Sequence, residues 1–149
     1  MNKYFVYFSA SGNGDFLASE LEKKGYKPVK IELVKPIKKV GFFAILKYGG
    51  RAMMQKREKI QEISLELQDD DTVIVGSPIW NDRLSTPVLT ALDKLALNKE
   101  TTKFILYPAG EGTKKSFKQL EKLGFKEAPI VIQYPLKYQE KALELIKNL

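Results

Sequence analysis

The stretch Tyr4-Phe5-Val6-Tyr7-Phe8-Ser9-Ala10-Ser11-Gly12-Asn13-Gly14 decides the fold. Its first five residues are β-prone and carry neither charge nor proline, so they read as a buried strand. The small, polar turn from Ser9 to Gly14 leads directly into a helix over about Asp15 to Lys24, where Leu17, Ala18 and Leu21 share one face and Gly25 gives the stop. Such a turn offers an anion backbone N–H groups and the positive end of a helix dipole. Gly12 and Gly14 let the backbone approach, Ala10 keeps the turn small, and Ser9, Ser11 and Asn13 add side-chain donors. No lysine is present, which suits a phosphate that is not part of a metal-bound triphosphate. The competing reading is a polar turn that only caps its helix.

Beyond this stretch, four further apolar runs alternate with helical periodicity, the pattern of repeated strand-helix-strand units on a parallel sheet. They are Lys27 to Leu33, Thr72 to Gly76, Phe104 to Tyr107 and Ala128 to Tyr134. The intervening helices start at Thr86-Pro87, read as N-cap and first helical residue, with Val88, Leu89, Leu92 and Leu95 inward; span Lys114 to Leu123 before Gly124; and close the chain with a stripe of Ala142, Leu143, Ile146 and Leu149. Pro28 with Lys30 and Glu32 marks the second run as an edge strand, and Pro129 marks the fifth. The expected fold is therefore a three-layer, doubly wound, five-stranded parallel sheet in the order 2-1-3-4-5, forming one domain over 1–149. A ligand in such a sheet sits beyond the carboxyl ends of strands one and three, where the winding reverses.

The third run ends in Ser77-Pro78-Ile79-Trp80-Asn81-Asp82-Arg83, which holds the sole tryptophan. An indole there offers a flat face to a ring system, although a tryptophan that covers the sheet edge would look the same. After the fourth run, Ala109-Gly110-Glu111-Gly112-Thr113 leaves room for a ring and presents further N–H groups.

Together, SASGNG after the first strand and DDDTVIVGSPIW around the third resemble the phosphate loop and the second flavin loop of flavodoxins, in the right order along nearly the whole chain. The strand order above is the one known for flavodoxin. The resemblance implies FMN, with its phosphate on Ser9, Ala10, Ser11, Gly12, Asn13 and Gly14, and its ring lined by Ser77, Pro78, Ile79, Trp80 and Asn81 with Ala109, Gly110 and Gly112 opposite. It also implies that the backbone at Trp80-Asn81-Asp82 adjusts to the redox state of the ring. Gly14 stands where the family usually has Thr, which predicts the loss of one hydroxyl contact worth ~1 kcal/mol. Well-known flavodoxins are acidic, whereas this chain carries a formal charge of +7.

That charge is local. Eight Lys and Arg residues lie between Lys35 and Lys59 against the single acid Glu58, and the other 17 basic and 17 acidic residues cancel. Lys38, Lys39, Lys47 and Arg51 are accordingly candidates for docking an acidic redox partner. The embedded run Val40 to Met54 is apolar enough to touch a membrane surface or a partner, but fits core packing in the crossover between strands two and three. No nucleic-acid recognition motif accompanies the charge.

Cysteine and histidine are both absent. This removes disulfides, thiol and imidazole catalysis and the common zinc and haem ligand sets, so redox chemistry must come from a bound cofactor. Gly110 to Ser116 resembles a P-loop but has Lys114 where Gly must precede the Lys-Ser pair. A phosphorylation receiver needs acids after strand one, and a low-molecular-weight phosphatase needs a cysteine. Asp69-Asp70-Asp71 reads as a solvated turn rather than a metal site. The N-terminal apolar run is too short for a signal peptide or a spanning helix, so the expected location is cytoplasmic. The function expected is electron carriage between redox proteins. A flavin-dependent reductase of a small acceptor such as a quinone, and a flavin-free interaction module, are the alternatives.

Overall fold

The computed structural model describes residues 1–35, 57–110 and 112–149. Lys38, Lys39, Lys47, Arg51 and the run Val40 to Met54 lie outside them. Five parallel strands form the sheet: β1 (Lys3–Tyr7), β2 (Lys27–Lys30), β3 (Thr72–Trp80), β5 (Lys103–Tyr107) and β6 (Ile130–Val131), in the order β2-β1-β3-β5-β6. A short strand, β4 (Arg83–Leu84), pairs antiparallel with the end of β3. Among the described residues, helices α1 (Asn13–Glu22), α2 (Thr86–Lys94), α3 (Lys114–Lys122) and α4 (Gln139–Ile146) cover the two faces, giving three layers. This is the expected α/β doubly wound order, with one small strand added.

Strand alternation sorts the core into two halves. Phe5, Tyr7, Ile74, Ile105 and Tyr107 face α1 and α4, meeting Leu17, Leu21, Ala142 and Ile146. Val6, Phe8, Val73, Val75, Phe104 and Leu106 face α2 and α3, meeting Val88, Leu89 and Leu120. Each such side chain taken from water contributes roughly 1.5–3 kcal/mol. Ile60, Ile63, Leu65 and Leu67 also pack on this second half, from a segment with no regular secondary structure.

Gly25 and Gly124 end α1 and α3 as expected. Each has a positive φ, and the pairs Tyr26 N–H to Leu21 O and Phe125 N–H to Leu120 O close the helix ends. Several boundaries differ from the sequence reading. The α1 helix begins at Asn13 because Gly12, at φ 89°, makes the turn earlier. Ser85 rather than Thr86 is the N-cap of α2, and its hydroxyl faces Ser77 instead of the helix. Only Ile130 and Val131 of the fifth run pair in the sheet, with Ile132 N–H adding one bond to Leu106 O. Ala142 and Ile146 are buried and Leu149 packs half-buried beside them, whereas Leu143 is exposed.

The largest correction concerns β3, which was expected to stop at Gly76. Its neighbour β1 stops at that level, but β5 continues opposite Ser77 and Pro78, and β4 then pairs with Ile79 and Trp80. Thr72 and Gly76 turn their backbone groups toward β1, so by the two-residue period Pro78 does too. The donor that proline lacks thus falls where β1 has already ended.

Asp71 accepts hydrogen bonds from the backbone of Asn2 and Gln68, and those bonds hold its carboxyl below the usual range. The acidic turn is therefore a fastening for the start of β1. Among the described residues no helix is long and apolar enough to cross a membrane, and no group of acids is placed to hold a metal.

Candidate functional site

The loop after β1 is built from both directions. Phe8 N–H still bonds Gly76 O, so the chain leaves the sheet only at Ser9. Ser9 Oγ then accepts hydrogen bonds from Gly14 N–H at 3.1 Å and Asp15 N–H at 3.3 Å, capping α1 from outside the helix. Asn13 Oδ1 accepts from Leu136 N–H at 3.1 Å, and its amide donates to Ser11 Oγ. The backbone N–H groups of Ala10, Ser11, Gly12 and Asn13 bond to no other described residue. Four donors without a partner among the described residues, at the positive end of a helix, form a cradle that can receive an anion.

Gly14 fits that cradle for a reason the sequence hid. A Cβ there would stand 2.8 Å from Tyr107 Oη, 2.9 Å from Ser9 Cβ and 2.9 Å from Tyr7 Cδ2. No side chain fits, so Gly14 is not a threonine site that lost its hydroxyl. Tyr107 donates to Phe8 O, and Tyr7 donates to Asp15 Oδ1 at 3.0 Å. Asp15 is in turn paired with Lys30 of β2 at 2.8 Å. Burial, with the Asp15 charge adding to it, raises the pKa of both tyrosines, so both hydroxyls remain donors.

The second predicted loop is a hairpin. Asn81 and Asp82, at φ 51° and 62°, form its two-residue turn between Trp80 and Arg83. Ser77 is fully buried, with its hydroxyl donating to Pro78 O at 2.7 Å and accepting from Ser85 N–H at 3.1 Å. Ile79 is buried in the core and Pro78 is half-buried. Trp80, half-buried, meets Phe8 edge-on with ring centres 5.7 Å apart, which brings the indole to the base of the first loop. Asn81 is exposed at the tip. Beside it, Asp82 Oδ1 is buried without a hydrogen-bond partner and would be 3.4 Å from a Cβ on Gly112.

Ala109, Gly110 and Gly112 are exposed at the same end of the sheet. Gly110 has φ 93°, and a Cβ there would reach Tyr134 Oη only at 3.5 Å. Tyr134 itself has φ 46°, an uncommon conformation for a bulky residue, and starts the turn that carries Leu136 to Asn13. Tyr7, Tyr107, Asp15, Lys30 and Tyr134 were all missed by sequence reasoning. Only Asp15, one residue past the glycines, carried a local signal.

A cleft of about 170 Å³ adjoins the first loop. Phe8 to Ala10 form one wall and Lys30 to Leu33 the other, so Ser9 and Ala10 are the predicted cofactor residues that line it.

No protein-family model matches the chain, and neither does any curated protein. Solved structures do. A flavoprotein from Lactobacillus acidophilus NCFM, crystallised in complex with FMN, aligns with a TM-score of 0.66 over 95% of this chain and 98% of its own, at 16% identity. A candidate flavoprotein from Bacteroides eggerthii aligns with a TM-score of 0.66 over 99% of both chains, at 18% identity. A third, from Bacteroides uniformis, gives a TM-score of 0.65 over 96% of this chain, at 16% identity. In its described residues, then, this chain has the three-layer fold of those flavoprotein structures.

Proposed function

We propose that the chain is a flavodoxin-like FMN protein, forming one cytoplasmic domain over 1–149 that carries electrons between redox proteins. The observation that carries this reading is the set of free N–H groups from Ala10 to Asn13, with Trp80 joined to the same loop through Phe8. The residues present suit the group. The four donors and the Ser9 proton match a phosphate, and the orphaned Asp82 Oδ1 is a buried acceptor for a ligand N–H. FMN, when bound, supplies the electron transfer.

The protein's part is placement. Gly14 keeps the cradle tight, Ser9 fixes the first turn of α1, and Asn13 ties the loop to Leu136. Trp80 and Pro78 line the ring side with Asn81, and Ala109, Gly110 and Gly112 stand across from them. Phe8 and Trp80 exclude water at the base. Lys38, Lys39, Lys47 and Arg51 provide docking charge for an acidic partner, an attraction that weakens with salt.

Titration with FMN tests the reading through the Trp80 fluorescence. Quenching that saturates at one FMN per chain is the expected result. A colourless protein whose fluorescence FMN leaves unchanged would rule the reading out. Rapid NADPH oxidation by the holo-protein alone would replace carriage with a reductase activity.

A further inference from the structure

The cleft beside Ser9 has no task in holding a mononucleotide. It lies on the β2 side of the anion cradle, whereas Trp80 and Gly112 lie on the β3 and β5 side. At about 170 Å³ it is smaller than the roughly 300 Å³ at which sites for drug-sized ligands begin, so it suits a sugar rather than a tricyclic ring.

Its lining is specific. Glu32 presents a carboxylate that makes no ion pair with a described residue. Lys30, two residues earlier, is held by Asp15 and keeps further N–H groups for a second anion. Ser9 Oγ accepts two amide hydrogen bonds, which leaves its own proton to donate. Phe8, Ile31 and Leu33 are buried and close the floor. The Glu32 wall is braced, because Gln61 N–H bonds Glu32 O at 2.7 Å and Leu33 pairs with Ile60.

A strand, a glycine turn, a helix and a neighbouring strand ending in an acid about 20 residues after the first glycine form the arrangement that binds a ribose diol in dinucleotide-binding units. Gly12, in the turn after β1, and Glu32, two residues past the end of β2, stand at that spacing here, and β1 and β2 are neighbours in the sheet.

We propose that the cleft between Phe8–Ala10 and Lys30–Leu33 receives the ribose of an adenosine phosphate joined to the phosphate in the Ser9–Gly14 loop. The chain then accepts a flavin dinucleotide, FAD, more tightly than FMN. Glu32 accepts hydrogen bonds from the two ribose hydroxyls, and Lys30 faces the second phosphate. The proposal rests on the flavin reading for the ring and for the phosphate in the loop, while the cleft itself is tested separately with AMP.

The experiment compares FMN, FAD and AMP on the full chain and on Glu32→Ala. Glu32 is exposed, so the variant keeps its fold. For the wild type, FAD should bind at least about 10-fold tighter than FMN, the lower end of what hydrogen bonds to a charged group supply. Glu32→Ala should erase that margin and leave FMN within about twofold. FAD binding no tighter than FMN, or equal losses for both flavins in Glu32→Ala, would overturn the proposal. If neither flavin binds, the FMN reading fails by itself and AMP decides for the cleft. Calorimetric binding of AMP that Glu32→Ala abolishes supports a ribose site, and absence of AMP binding refutes it.

Discussion

The loops after β1 and β5 both contain two glycines, and they use them for opposite purposes. At Gly14 three side chains already occupy the space of a Cβ, and the neighbouring residues are fixed by Ser9, Tyr107 and Leu136. At Gly110 and Gly112 the backbone is exposed, and the nearest atoms to a Cβ stand 3.5 and 3.4 Å away. The first loop is over-determined by packing. The second leaves room for a Cβ at both of its glycines. On the flavin reading proposed above, the former holds the phosphate, whose shape is constant, and the latter faces the ring, whose charge changes on reduction.

Substitutions at the two loops should separate these roles, and the largest effect belongs to the first. Gly14→Thr should destabilise the chain by about 1–3 kcal/mol, the usual range for overpacking, lowering the melting temperature by roughly 2–4 °C per kcal/mol. It should also weaken any phosphate ligand despite the added hydroxyl. Combining a Gly14→Ala variant with Tyr107→Phe should recover part of the loss, since the tyrosine oxygen is the nearest obstacle. Additive losses would show that the crowding lies elsewhere.

Tyr107→Phe alone leaves Phe8 O without its donor, a change worth about 1–3 kcal/mol by urea unfolding. Its pH dependence has a definite sign. Tyr7 and Tyr107 have raised pKa values in the folded chain, while unfolded tyrosine ionises near pH 10, to within about a unit. Their contribution is therefore whole below about pH 10 and declines above it, and Tyr107→Phe should flatten that alkaline decline. Ser9→Ala should cost about 1 kcal/mol, as the loss of a helix cap does. Gly112→Ala should change stability by less than about 0.5 kcal/mol, as exposed positions do. A larger loss there would erase the contrast between the loops.

The legible parts of the fold were those set by local chemistry. YFVYF and TVIVG carry their burial in composition, and Gly25 and Gly124 carry a positive φ that any reader of helix ends expects. Charge and proline put the second and fifth runs at the edges, and right-handed crossovers together with the order known for flavodoxin gave the rest. What could not be read depends on residues outside the local pattern of each element. The extension of β3 through Pro78 depends on β4 and β5, and the α1 cap comes from a serine five residues upstream. Gly14 was visible as a glycine, but Tyr107, which helps make it necessary, lies on another strand. The Asp15–Lys30 pair joins a helix to the edge strand, and neither residue signals the other. Within the site, then, residue types were readable and their reasons were not.

The bonds that shape the first loop span the chain. Tyr107 reaches Phe8 across 99 positions, and Leu136 reaches Asn13 across 123. Contacts of such separation close long loops and exist only once the intervening chain is in place. The cradle near the beginning of the sequence is thus completed by residues near its end. A nascent chain with β1 and α1 already made has no finished anion site, and ligand capture becomes a report that the last strand and helix have docked.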